Sequence, residues 1–213
     1  MSSVVFCGSR TLPFSGIQLV GSLVGSLLTH QRPLVVGCAS GADRAVLQMA
    51  LSIAPSLVSV LAAFGPSGSG SAGPASAVST VQAAARAGVP VTWWAGGGSS
   101  VPLRARLAAR SLAAVRRVAG SGPGAGLVAV VGAFPTRPWS GRGLWQSCGS
   151  GSWSSVAAAA ALGVKASVFP VGELAGCSCA DLPALPSGPG RWVAAGSGIL
   201  ASGWVWVPAQ GLL

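Results

Sequence analysis

The chain has 213 residues, of which 51% are apolar and only 8% charged; ordinary domains carry ~25% charge. One large domain, with or without an appendage, is therefore expected, and a chain too polar to build a core is excluded. Thirteen Arg and Lys oppose Asp43, Glu173 and Asp181 for a net charge of +10, which favours polyanionic partners, although a GC-rich coding bias also enriches Arg, Gly, Ala, Pro and Trp.

The pattern alternates β-rich and Ala/Leu-rich runs. Val4 to Cys7 reads as a strand ending in Gly8-Ser9-Arg10, and Ile17 to Leu28 has helical apolar spacing. A second strand over Pro33 to Val36 runs into Gly37-Cys38-Ala39-Ser40-Gly41, and a helix follows over Ala42 to Ile53. Leu57 to Phe64 is a third strand, Gly65 to Pro74 a Gly/Ser/Pro loop and Ala75 to Ala87 a helix. Val89 to Trp94 is a fourth strand, and a basic helix spans Val101 to Val118. Leu127 to Phe134 is a hydrophobic strand, and the loop Pro135 to Gly151 carries Arg137, Trp139, Arg142 and Trp145. Trp153 to Leu162 is a helix and Val164 to Phe169 a sixth strand.

This alternation predicts an α/β, Rossmann-like, doubly wound and mostly parallel sheet of about six to seven strands, with helices on both faces. Residues 1–171 form that domain. Residues 172–213, rich in Pro, Gly and Trp, form an extension packed on it as an edge strand or hairpin. The tail tryptophans offer an alternative role as a ligand or partner surface.

Ala45 to Phe64 is long and apolar enough to raise a membrane span, but Pro55 and several serines interrupt it, and a helix, a turn and a buried strand explain it as well. The five cysteines form no C-x-x-C pair, and Cys177-x-Cys179 with the lone His30 is a weak metal signal. No metal and no cofactor are expected. His30 reads as a helix-end surface residue. An odd cysteine count and no basic leader at the start point to the cytoplasm.

Two strand-to-helix turns carry the chemistry. At Gly8-Ser9-Arg10 the glycine allows close backbone approach, Ser9 offers a hydroxyl and Arg10 a forked cation for phosphate. At Gly37 to Asp43 a buried strand opens onto a helix N-terminus, where free amides favour anions. Asp43 either complements the helix dipole, bonds a ligand hydroxyl or orients Arg10. On the basic helix Arg106, Arg110 and Arg117 share one face, read as a solvated face or as a track for a nucleic-acid backbone.

The run from Val4-Val5-Phe6-Cys7-Gly8-Ser9-Arg10 through Pro33 to Ala50 resembles the SLOG superfamily, which includes the Lonely Guy phosphoribohydrolases, the DNA-processing A proteins and small prokaryotic nucleotide-sensor proteins. The match covers about residues 3–64 and looks most like the small prokaryotic members. More loosely, Leu103 to Val118 with Arg104, Arg106 and Arg110 resembles the family's Arg-containing helix. Gly149-Ser150-Gly151-Ser152 is similar to its Gly-x-Gly-Thr turn, with Ser152 in place of Thr.

The resemblance implies a nucleotide or nucleotide-derived phosphate ligand held by Gly8, Ser9, Arg10, Gly37, Ala39, Ser40, Gly41, Asp43, Arg106, Arg110, Gly149, Gly151 and Ser152. One alternative is a protein that binds single-stranded DNA or other nucleic acid, as DNA-processing A does, using the basic helix and exposed tryptophans. A second alternative is a nucleoside monophosphate phosphoribohydrolase with Asp43 as the candidate catalytic acid. Ser155 stands where those hydrolases carry a glutamate, so binding is expected rather than hydrolysis. Members of this superfamily often form dimers, and a homodimer is expected here.

Overall fold

The computed structural model describes residues 2–71 and 73–209; position 72 of the expected Gly/Ser/Pro loop and positions 210–213 of the expected extension lie outside them. Eight strands form one sheet: β1 (Val4–Gly8), β2 (Leu34–Val36), β3 (Val58–Leu61), β4 (Val91–Thr92), β5 (Gly126–Val131), β6 (Lys165–Pro170), β7 (Gly190–Ala194) and β8 (Trp204–Pro208). Five helices accompany them: α1 (Phe14–Thr29), α2 (Ala42–Ile53), α3 (Ala75–Arg86), α4 (Leu103–Ala119) and α5 (Gly151–Ala161). The spatial order is β4-β3-β2-β1-β5-β6-β8-β7. The first six strands are parallel, and the β7–β8 hairpin joins antiparallel through β8 against β6.

The α/β Rossmann-like class follows from how the strands are buried. Val4 and Phe6 of β1 enter one core cluster, with Val20, Val24 and Val46 from α1 and α2. Val5 enters a second, with Val115 and Val118 of α4 and Trp153 and Val156 of α5. Successive side chains leave a strand on opposite faces, so a continuous apolar run is buried twice, as a parallel sheet requires.

The expected strand at 57–64 pairs only over 58–61, yet its sequel stays bonded to the end of β4 and the chain just after it: Ala62 N–H donates to Thr92 O at 2.9 Å and Trp94 N–H to Phe64 O at 3.1 Å. Val89 to Trp94 shortens to a two-residue β4, because Trp94 takes a left-handed φ of 54° that turns the chain out of the sheet. Residues 45–64 are not one helix: α2 ends at Ile53, a single 3-10 turn covers Pro55–Leu57, and β3 follows. No helix among the described residues is long and apolar enough to cross a membrane.

Beyond β6 the sheet continues through aromatic packing. Trp192 on β7 lies 5.3 Å from Trp206 on β8 and 6.2 Å, edge-on, from the fully buried Trp153 of α5. The Trp192 indole donates to Pro183 O and the Trp139 indole to Ala184 O, so the 182–185 segment closes over the ring cluster with Leu182 and Leu185 buried. The expectation of exposed tryptophans is corrected here. None of the eight is fully exposed, and Trp153, Trp192 and Trp206 are buried, because each large ring removes more apolar area from water than any other side chain available to this hairpin.

From β1 the chain winds outward to β4, then α4 carries it back so that β5 lies on the other side of β1. The winding direction reverses between β1 and β5, and a crevice opens there at the strands' carboxyl ends. Gly8 makes this junction possible. A Cβ on it would stand 2.5 Å from Val130 O and 2.6 Å from the Ala42 Cβ, so α2 docks on the end of β1 only because residue 8 has no side chain. Gly8→Ala is expected to destabilise the fold by about 1–3 kcal/mol through overpacking, measured as a lowered urea midpoint at unchanged slope; an unchanged midpoint would show that α2 is not seated as described.

Candidate functional site

Ser9 ties three elements together at the crevice floor. Its N–H donates to Val130 O at 2.8 Å, its carbonyl accepts from Ala42 N–H at 3.0 Å, and its Oγ accepts from Gly132 N–H at 2.7 Å. One lone pair of the expected ligand hydroxyl is thus already committed, which leaves its hydrogen and its second lone pair to offer a ligand. The first amide of α2 is likewise occupied.

Asp43, in the first turn of α2, is buried, and its carboxylate accepts from Ala39 N–H at 3.0 Å. It pairs with Arg110 of α4, Nη1 to Oδ2 at 3.7 Å, and Arg110 is itself only 9% exposed. Both side chains lie over Gly37, where any Cβ would collide with the Arg110 guanidinium. Burial pushes the Asp43 carboxyl above its ordinary 3.8, with Arg110, the Ala39 amide and Arg10 opposing. Desolvation also pushes the Cys7 thiol upward, and Asp43 adds to this, so Cys7 stays protonated and is no thiolate nucleophile.

Above this floor lies a cleft of about 160 Å³, lined by Arg10, Cys38, Ala39 and Ser40, by Ala63 and Phe64 beyond β3, by Gly70, Ser71, Gly73 and Pro74, and by Leu103 and Leu107 of α4. Arg10 is exposed at its mouth. Of the residues expected to bind ligand, Arg10, Ala39 and Ser40 reach the cleft. Gly8, Ser9, Gly37, Gly41, Asp43 and Arg110 sit in the scaffold beneath; Gly41 begins α2 at a φ of 69°.

Arg106 does different work. Buried to 3% exposure, it stacks 5.0 Å over the Trp94 ring and donates to Gly70 O at 2.5 Å and Gly98 O at 3.2 Å. The helical face shared by Arg106 and Arg110 is therefore turned into the protein rather than to solvent or a nucleic-acid backbone; backbone carbonyls accept from Arg106 and Asp43 pairs with Arg110, while the buried Nε of each finds no hydrogen-bond partner among the described residues. Arg117 and its neighbours Arg104 and Arg116 remain exposed.

The third glycine turn lies outside the cleft lining. Ser150 caps α5 by accepting from Trp153 N–H at 3.5 Å, with Gly149 at a φ of 83° and Gly151 opening the helix beside Ser152. Ser155 is buried with its hydroxyl bonded back to Gly151 O. His30 is an exposed helix-end residue bonded to Ser26 O. The sequence did not disclose the wall formed by Ala63, Phe64, Gly70, Ser71, Gly73 and Pro74 and by Leu103 and Leu107. Its signal was available as one more apolar strand opening into a Gly/Ser loop.

The surface is strongly one-signed. Among the described residues, Arg10, Arg86, Arg104, Arg116, Arg117, Arg137, Arg142, Lys165 and Arg191 are exposed cations, whereas Glu173 and Asp181 are the exposed carboxylates. Asp181 is held low by hydrogen bonds from the Ser178 hydroxyl and amide.

The Asp43–Arg110 pair generates a pH-dependent prediction. A carboxyl raised by folding binds its proton more tightly in the native state than in the unfolded chain, so its contribution to stability falls as pH rises from 3.8 through the native value. Arg110→Ala removes the opposing cation and is expected to cost about 3–5 kcal/mol at neutral pH. That deficit should shrink as pH falls through the native value and below 3.8, where Asp43 becomes protonated in both states. Urea melts across this range provide the measurement, and a deficit independent of pH would refute the coupling.

The sequence matches no protein-family model and no curated protein. Solved structures do resemble it. DNA processing protein A from Streptococcus pneumoniae is similar at a TM-score of 0.52 and 20% identity, over 85% of this chain and 52% of that one. DNA processing protein A from Helicobacter pylori, described for its single-stranded DNA binding mode, is similar at a TM-score of 0.52 and 18% identity, over 81% of this chain and 66% of that one. This chain thus spans about half to two thirds of the length of those proteins and, over most of its own length, has the Rossmann-like fold of DNA processing protein A.

Proposed function

We propose that this protein binds single-stranded nucleic acid across the crevice at the carboxyl ends of β1, β2 and β3. The observation that carries this reading is the placing of Arg10 at the cleft mouth, on a surface with nine exposed cations against two carboxylates. Such a surface gains free energy by releasing the counterions of a polyanion. The only acid near the cleft, Asp43, is buried and paired with Arg110, so it does not repel phosphate. The fold shared with a protein described for its single-stranded DNA binding supports the same reading.

A second reading, recognition of a free nucleotide, is favoured by one feature: the cleft is walled by Gly70, Ser71, Gly73 and Pro74 and by Leu103 and Leu107 of α4, as a small-molecule site would be. Thermal-shift measurements with nucleoside mono-, di- and triphosphates separate the two, since this reading requires stabilisation by a mononucleotide as strong as that by a strand.

The expected outcome for the first reading is binding of a labelled oligothymidylate, followed by fluorescence anisotropy, that weakens steeply with salt. Each neutralised phosphate contributes about −0.7 to the logarithmic slope. Arg10→Ala should flatten that slope by about 0.7 while leaving the thermal midpoint unchanged. Absence of binding at low salt, or binding insensitive to salt, overturns the proposal.

A further inference from the structure

The sheet parts between β6 and β8. On its other side β6 pairs with β5 at all six of its residues, Lys165 to Pro170, and β8 pairs with β7 at all five of its own. Between β6 and β8 only Ser167 with Val205 and Val168 with Trp204 are joined. Continuing that antiparallel register would set Ala166 against Trp206 and Lys165 against Val207, and the ladder stops short of both. β8 therefore stays with β7 and leaves β6 from Trp206 onward.

The gap is a groove of about 460 Å³, floored at the end of α5 by Ala160 and Val164 and bounded by Lys165 on one strand and Val205 to Pro208 on the other. That volume lies within the ~300–1,000 Å³ usual for small-molecule sites. The groove sits at the amino end of β6 and shares no lining residue with the cleft above Ser9.

Register fixes which side chains meet there. Residues opposite each other in an antiparallel pair share a face of the sheet, as do residues two apart on one strand. Lys165, Ser167, Val205 and Val207 thus stand on one face, with Val193 and Arg191 of β7 opposite the two valines. Trp192 and Trp206 pack on the other face with Trp153 of α5. Val207 is left 39% exposed.

Lys165 is the one charged residue among the described residues that line the groove; the others are Gly, Ala, Val, Pro and Trp. A multiply charged ligand would lose its hydration against such walls, whereas a hydrocarbon body would exchange water for apolar contact. The single ammonium, on a flexible stem at the rim, suits one negative charge. From Val205 to Pro208 the slot runs three strand steps of ~3.3 Å, about 10 Å in all. It offers methyl groups and no free ring face, since Trp206 has turned its ring to Trp192 at 5.3 Å, so an extended chain fits it better than a stacked ring system.

We propose that this groove binds a straight-chain aliphatic carboxylate of medium length. The alkyl chain lies between the parted strands along Val164, Val205 and Val207, and the carboxylate rests on Lys165. The site is independent of the nucleic-acid reading above.

Calorimetric titration of the full chain with hexanoate, octanoate and the neutral 1-octanol, each as free monomer in solution, tests the proposal. Each CH2 removed from water tightens binding by up to about fourfold, so octanoate should bind roughly tenfold more tightly than hexanoate. Octanoate should exceed octanol by about three- to fivefold, the margin of one exposed ion pair. Lys165→Met keeps the stem, removes the charge and should erase that margin while leaving octanol binding unchanged. Arg142→Met lowers the net charge equally at a distant loop and should preserve it. Val207→Trp, which fills the slot from its exposed side, should abolish binding of both, and circular dichroism melts establish that the variants are folded; the two methionine variants decide the matter if Val207→Trp is not. No binding of octanoate, affinity that does not rise with chain length, octanol bound as tightly as octanoate, or equal losses in Arg142→Met and Lys165→Met each overturn the proposal.

Discussion

Everything at the crevice hangs on the contact between the end of β1 and the start of α2. Three backbone segments meet at Ser9, which is bonded to β5 on one side and to the first amide of α2 on the other. With Gly8 bare of a side chain, this brings the Gly37–Gly41 turn directly under Arg10. A parallel sheet whose winding reverses leaves a gap at the reversal, and here the gap is floored by main chain. The polar groups of that floor are largely consumed in holding it together, so what remains for a ligand is a rim cation and an apolar cleft above.

The pair formed by Asp43 and Arg110 belongs to the same construction. It crosses from one face of the sheet to the other, joining α2 to the crossover helix α4 beneath Gly37. Breaking such a pair leaves a buried charge alone, which costs much more than the intact pair contributes. Its role is therefore to fix where α4 lies, and with it Leu103 and Leu107. Arg106, one helical turn before Arg110, fixes the opposite wall through Gly70 and Trp94. Two inward arginines on one helix thus set both sides of the cleft, while the outward arginines of the same helix supply surface charge.

That surface charge is unusual less for its cations than for its lack of acids. With one of three carboxylates buried, nothing on the exterior competes strongly for the exposed guanidinium groups, and they remain available to solvent anions. Electrostatic attraction of this kind is long-ranged and indifferent to sequence; discrimination between polyanions requires short-range contacts.

The amino-acid sequence by itself determined the α/β class, because runs such as Leu34-Val35-Val36 and Leu127 to Val131 are apolar on both faces and alternate with helices of the right period. It also located the Gly8–Arg10 and Gly37–Asp43 turns, since glycine at a strand end leaves few alternatives. Tertiary structure alone decided which groups remain free. Spacing placed Arg106 and Arg110 on one face of α4 but could not say that this face turns inward, because the direction of a helix face depends on partners distant in the chain, Gly70, Trp94 and Asp43. The cleft wall at Ala63, Phe64, Gly70, Ser71, Gly73 and Pro74 and the burial of Trp192 and Trp206 were hidden for the same reason: each is a contact between segments that only the folded sheet brings together.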